Sequence, residues 1–284
     1  MGPVNFAQVF LHARWRVLLV ILGLSCGPAR ILQPQEPAGL AASALADSSF
    51  TWIQRGIAGV RVYFLAGSYP AVHQDSLLAR LPPALSHARA LINAPPLTGP
   101  IDLFFIETRA QMTALIGGRA TGFAQPSTRT VFLVTNPDWR AFERHEIMHV
   151  VAQHAWGPPA PGGDWLQEGL AQAADGVCAG YSNADVMMAL PTRHGWIPLD
   201  TMLTRFRAQP DLRAYLQAAA FVGYLLQQYG PGPLEQLWRR GSRQDSLIRG
   251  STLAALERRW REELRPRHNV SSTTLSAVEA QGCG

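Results

Sequence analysis

Apolar residues change their spacing along this chain. Up to about residue 135 they gather in short β-branched and aromatic runs, and beyond it they recur every three or four positions. Phe50 to Leu65, with glycines at 56 and 59, predicts one or two strands. Leucines and alanines over residues 72–93 predict a helix that Pro82 and Pro83 kink or split. Ile101–Ile106 and Thr130–Thr135 predict two more strands around a short helix, Arg109–Ile116. From Asn136 onward nearly every segment is helical in pattern, so the order is α+β, a mixed sheet running into helices with a boundary near residue 180.

The ends read differently. Arg14 and Arg16 precede an apolar run from Val17 to Leu24, which is the length of a signal peptide and too short to span a bilayer. Leu22-Gly23-Leu24-Ser25-Cys26 follows, and it resembles a bacterial lipoprotein signal in which Cys26 becomes the lipidated N-terminus. Ordinary cleavage and an uncleaved anchor are the alternatives. The expected organisation is a signal segment at 1–26, a Pro/Ala-rich linker at 27–47, a sheet-bearing domain at 48–180, a helical subdomain at 181–267 and an irregular tail at 268–284. Export places Cys178 and Cys283 in an oxidising compartment, where the pair is expected to form a disulfide tying the tail to the core; two free thiols are the alternative.

Composition adds a constraint on chemistry. All 25 basic side chains are arginine, so no lysine is present for Schiff-base formation. Residues 239–267 hold nine arginines against four acids, and this one segment accounts for the net charge of +5. A helix carrying Arg258-Arg259-Trp260-Arg261-Glu262-Glu263 reads as a solvated face with interleaved charges, so nucleic acid is not an expected partner.

The residues that carry chemistry begin at His145-Glu146-Ile147-Met148-His149. Asn136-Pro137 reads as a helix start and Gly157-Pro158-Pro159 as its stop, which puts the motif mid-helix. Histidines four apart lie one turn apart on one face, so their imidazoles converge on one ion. Glu146 is rotated about 100° from His145 and can stand beside the metal as a base without binding it. A catalytic zinc takes a third protein ligand. His154 has the wrong spacing for the metzincin pattern and reads as a surface or packing residue. Asp164 reads as an N-cap completed by Gln167. Glu168, in Asp164-Trp165-Leu166-Gln167-Glu168-Gly169, remains, on a second helix after a glycine-rich loop.

His145-Glu146-x-x-His149, then 18 residues, then Glu168 inside Trp-Leu-x-Glu-Gly, resembles the gluzincin metallopeptidases. The second motif is most similar to that of the zinc aminopeptidases and the smaller peptidase MA-like proteins. The resemblance implies a zincin-like, thermolysin-like fold, one Zn2+ on His145, His149 and Glu168, and Glu146 as general base. It places Asp175 where an acid orients a ligating histidine, and Tyr215 where a tyrosine stabilises the oxyanion, with His194 as the alternative donor. It covers roughly residues 100–230 and is strongest between His145 and Asp175.

One departure bears on the substrate. The aminopeptidases hold the substrate amine with an acid ahead of the metal helix, but no acid lies between Glu107 and Asp138, and the comparable stretch is Gly122-Phe-Ala-Gln125-Pro126. The expectation is therefore an exported, lipid-anchored zinc metallopeptidase of endopeptidase type, acting on a peptide or protein laid along the strand Thr130–Thr135 as an added strand. The rival expectation is a zinc- or peptide-binding surface lipoprotein on the same scaffold.

Overall fold

The computed structural model describes residues 39–190 and 195–283, which belong to one compact unit spanning residues 35–284. Cys26, the signal segment and His194 lie outside the described residues.

Helix α1 (Leu40–Ala46) leads into the hairpin β1 (Trp52–Ile57) and β2 (Val60–Leu65); a single turn α2 (Tyr69–Val72), the long helix α3 (Gln74–Ile92) and β3 (Ile101–Ile106) follow. Helix α4 (Arg109–Ile116) connects to β4 (Gly122–Gln125), which a 3-10 turn joins to β5 (Thr130–Val134). Two helices come next, α5 (Glu143–Trp156) and α6 (Asp164–Asp175), then a ribbon of β6 (Val177–Cys178) and β7 (Tyr181–Ser182) and helix α7 (Asn183–Ala189). The remainder comprises α8 (Leu199–Arg205), α9 (Asp211–Tyr229), α10 (Pro231–Arg240), a ribbon of β8 (Leu247–Ile248) and β9 (Ser251–Thr252), α11 (Leu253–Glu263) and α12 (Ser272–Gln281).

The five-stranded sheet runs β1-β2-β3-β5-β4, parallel at its two central pairings and antiparallel at both ends. The chain is thus α+β with a small mixed sheet. Alternation along β3 and β5 sorts their side chains to two faces. Leu103, Phe105, Val131 and Leu133 join the main core under α3 and α5, while Phe104, Ile106, Phe132 and Val134 face a second cluster closed by Ala41, Ala44 and Met112.

Several expectations change here. Residues 40–46, expected as linker, form α1, which buries Ala41 and Ala44 and accepts the Trp52 indole N–H on the Ala44 carbonyl at 3.0 Å. Helix α3 runs unbroken through Pro82 and Pro83. The two prolines lie on its outer side, half-buried and exposed, while Leu77, Leu81, Ala84, Ala88 and Ile92 hold the inner side in the core. Asn136-Pro137 makes a turn rather than a helix start, because the Asn136 side chain accepts the Asp138 N–H at 2.9 Å; α5 begins only at Glu143. Part of the tail is helical, with Ser271 capping α12.

No break in packing falls near residue 180. Helix α9 lies along α6, and side chains from both join the core under the sheet. The contact is close at Gly169, where an added Cβ would sit 2.9 Å from Val222 Cγ2 and 3.0 Å from the Ala218 carbonyl group. Backbone atoms of a buried helix cannot retreat far. Gly169→Ala is therefore expected to destabilise the fold by about 1–3 kcal/mol, measured by urea denaturation; unchanged stability would contradict this packing.

Candidate metal centre

Helix α5 carries the histidine pair on a largely buried face. Ile147, Met148, Val150 and Val151 fix the helix in the core, and His145 and His149 sit one turn apart with ring centroids 4.9 Å from one another. Helix α6 brings the third group. Glu168 Oε2 lies 3.3 Å from His145 Nε2 and 3.6 Å from His149 Nε2. One donor atom from each of the three side chains falls within 4.8 Å of the others, so the group could hold a metal ion. Burial works to raise the Glu168 pKa, but hydrogen bonds and positive charge from the two histidines outweigh it and hold the carboxyl well below its usual range.

Glu146 points elsewhere. It is buried beside β4, where an added Cβ on Gly122 would clash with its carboxylate Oε1. Burial pushes the Glu146 carboxyl up to about 7, with the neighbouring Glu168 charge adding to the rise and His145 opposing it. The absence of a side chain at Gly122 is thus what lets this carboxylate lie against the sheet edge. Sequence reasoning used the Gly122–Pro126 stretch only as the counterpart of an amine-binding motif and did not see this role.

The edge itself is corrected. Thr130–Thr135 was expected at the sheet margin, but β4 pairs outside β5 in the register Gly122↔Leu133 to Gln125↔Thr130, which makes β5 an interior strand. The exposed margin facing the histidines is β4. A cleft of about 920 Å³ runs beside it, lined by Gly122, Phe123, His145, Glu146, His149 and Glu168 among others.

Tyr215 and Arg207 close another side of the cleft. The Tyr215 ring lies nearly parallel to that of His145 at 6.3 Å, and burial, with the charge of Glu168, raises the phenol pKa. Arg207, in the 3-10 turn after α8, donates to Glu168 Oε1 at 2.7 Å, to the Tyr215 hydroxyl at 2.9 Å and to Asp164 Oδ1 at 3.1 Å. No sequence motif marked it. Asp164, expected as an N-cap, is instead the first residue of α6, since the N–H groups of Leu166 and Gln167 already bond to the Gly163 carbonyl. Its carboxylate serves Arg207.

Other expected residues fall at different distances from this group. Asp175 is buried, and both of its carboxylate oxygens accept from Arg140 Nη2, at 2.9 and 3.0 Å. Burial raises its pKa, opposed chiefly by Arg140. His154 lies away from the trio, against the Pro96 carbonyl at 3.1 Å.

The tail forms one more wall. Val278, Glu279, Gly282 and Cys283 line the cleft, and Cys283 is disulfide-bonded to Cys178. Asp185 fastens the other end of this segment, accepting the N–H groups of Arg267 and His268. Neither a protein-family model nor a curated protein matches this chain.

Burial would raise the Asp185 pKa, but hydrogen bonds from Arg267, His268 and Ser182 outweigh it and lower the value to about 2 from an ordinary 3.8. A depressed carboxylate pKa contributes stability in full above the unfolded value, and that contribution is lost as pH falls toward 2. The stability gap between the wild type and Asp185→Asn, read by urea denaturation, is accordingly expected to be constant above about pH 5 and to close toward pH 2. A gap that does not change with pH would contradict this anchoring.

Proposed function

We propose that this chain is a zinc-dependent peptidase of the zincin-like, gluzincin type, acting on a peptide laid along the β4 edge. The observation that supports this reading best is the convergence of His145, His149 and Glu168 beside a buried Glu146 that lines the same cleft. The donor set suits zinc: two imidazole nitrogens and one carboxylate, with the cleft leaving a side open. A zinc ion held there would supply Lewis-acid polarisation of the scissile carbonyl and a more acidic water.

The chain's own residues do the rest. Glu146 accepts the proton of the attacking water and delivers it to the departing amine. Tyr215, whose hydroxyl donates to Glu168 here, would turn that hydrogen to the carbonyl oxygen as negative charge develops there. His194, the alternative donor, lies outside the described residues. The main chain of β4 pairs with an extended substrate and fixes its direction relative to Glu146. No acid lies between Glu107 and Asp138 to hold a free amine, which favours cleavage within a chain over removal of its first residue.

Export and lipid attachment at Cys26 complete the proposal, and both concern residues outside those described. Among the described residues no helix is long and apolar enough to cross a membrane.

Glu146→Gln is expected to retain the metal and to lose hydrolysis of a peptide library by at least about 100-fold. Gly122→Ala is expected to lose turnover by displacing Glu146, because the added Cβ meets that side chain from its carboxylate to Cγ and no backbone atom. Circular dichroism and the same peptide assay check both. Full turnover in Glu146→Gln would overturn the mechanism.

A further inference from the structure

No motif announces Arg207, whose side chain is 55% exposed yet donates three hydrogen bonds at this site. Its guanidinium spans three acceptors from two helices: Glu168 and Asp164 on α6, and the Tyr215 hydroxyl on α9. An exposed ion pair alone is worth little. Here, however, one partner is the buried carboxylate that faces both histidines, and it is held through the oxygen that the histidines do not touch: Oε1 goes to Arg207 and Oε2 to His145 and His149. A hydrogen bond to one oxygen restrains rotation of the carboxylate and favours the orientation in which the other faces the imidazoles.

The second contact works in the same way on a different group. Arg207 Nη1 donates to the phenolic oxygen while the Tyr215 hydroxyl itself donates to Glu168, so guanidinium, phenol and carboxylate form one closed group, with the phenol ring nearly parallel to that of His145. Asp164 completes the arrangement by holding Arg207 Nε, which sets the plane of the fork.

We propose that Arg207 is a positioning residue that aims Glu168 at the metal and holds the Tyr215 hydroxyl beside it from a single guanidinium. This rests on the reading of His145, His149 and Glu168 as a zinc site. A planar fork is required for it. Lysine offers charge at a single point and can hold Glu168 but not Glu168 and Tyr215 together.

The test measures zinc affinity by competition with a chromophoric chelator, and peptide turnover separately, in the wild type, Arg207→Ala and Arg207→Lys. Arg207→Ala is expected to bind zinc about 10- to 100-fold more weakly. Arg207→Lys is expected to recover much of that affinity while its kcat stays low at unchanged KM. Thermal unfolding of the zinc-free proteins controls for folding, with Arg207→Ala expected to lose some stability as the buried Glu168 loses a partner and Arg207→Lys to keep most of it. Zinc affinity in Arg207→Ala within twofold of the wild type would overturn the inference, as would full recovery of turnover by lysine. Absence of zinc binding by the wild type is a separate outcome: it overturns the site reading, and this inference with it.

Discussion

Glu168 carries a negative charge into the interior of the protein, and the arrangement of the helices around it follows from that. An unpaired buried carboxylate would cost several kcal/mol. Two imidazoles on α5 and a guanidinium from the turn after α8 meet it instead, each on a defined oxygen. To reach them, α6 must lie close to α5 on one side and be held from behind on the other. Gly169, the next residue, allows the second contact by giving up its side chain where α9 passes. Neighbouring positions in one short motif therefore serve different ends, one offering a donor atom and the other bringing its helix near enough to deliver it.

The same economy of space governs the cleft. Gly122 is vacant so that Glu146 can lie against β4, which couples the carboxylate to the strand along which a substrate would pair. On another wall stands the C-terminal segment, held by Asp185 at one end and by the bond between Cys178 and Cys283 at the other. A helix that buries chiefly Val278 contributes little apolar area of its own, so its position depends on these two fastenings.

Much of the fold was legible because its signals are local. Strands β3 and β5 are buried on both faces, and their runs of branched and aromatic residues stand out without any neighbour being known. His145, His149 and Glu168 could be picked out because a spacing of four places two side chains on one helical face. What the sequence hid was decided by tertiary contact. Pro82 and Pro83 carry the mark of a broken helix, and nothing in their neighbourhood reveals that they face outward from a packed one. Asn136-Pro137 bears the signature of a helix start, yet the same asparagine side chain closes a turn just as readily. Strand β4 is four residues long and half-buried throughout, too short for a period to show. Arg207 is distant in sequence from Glu168 and lies in a turn without pattern, so only the folded chain brings it to the carboxylate.

The central claim is that His145, His149 and Glu168 act together on one ion. Elemental analysis of the purified protein after incubation with zinc and removal of the excess, run beside Glu168→Ala, addresses it most directly. The account predicts about one zinc per wild-type chain and little in the variant. No zinc in the wild type, or an undiminished content in Glu168→Ala, would contradict it.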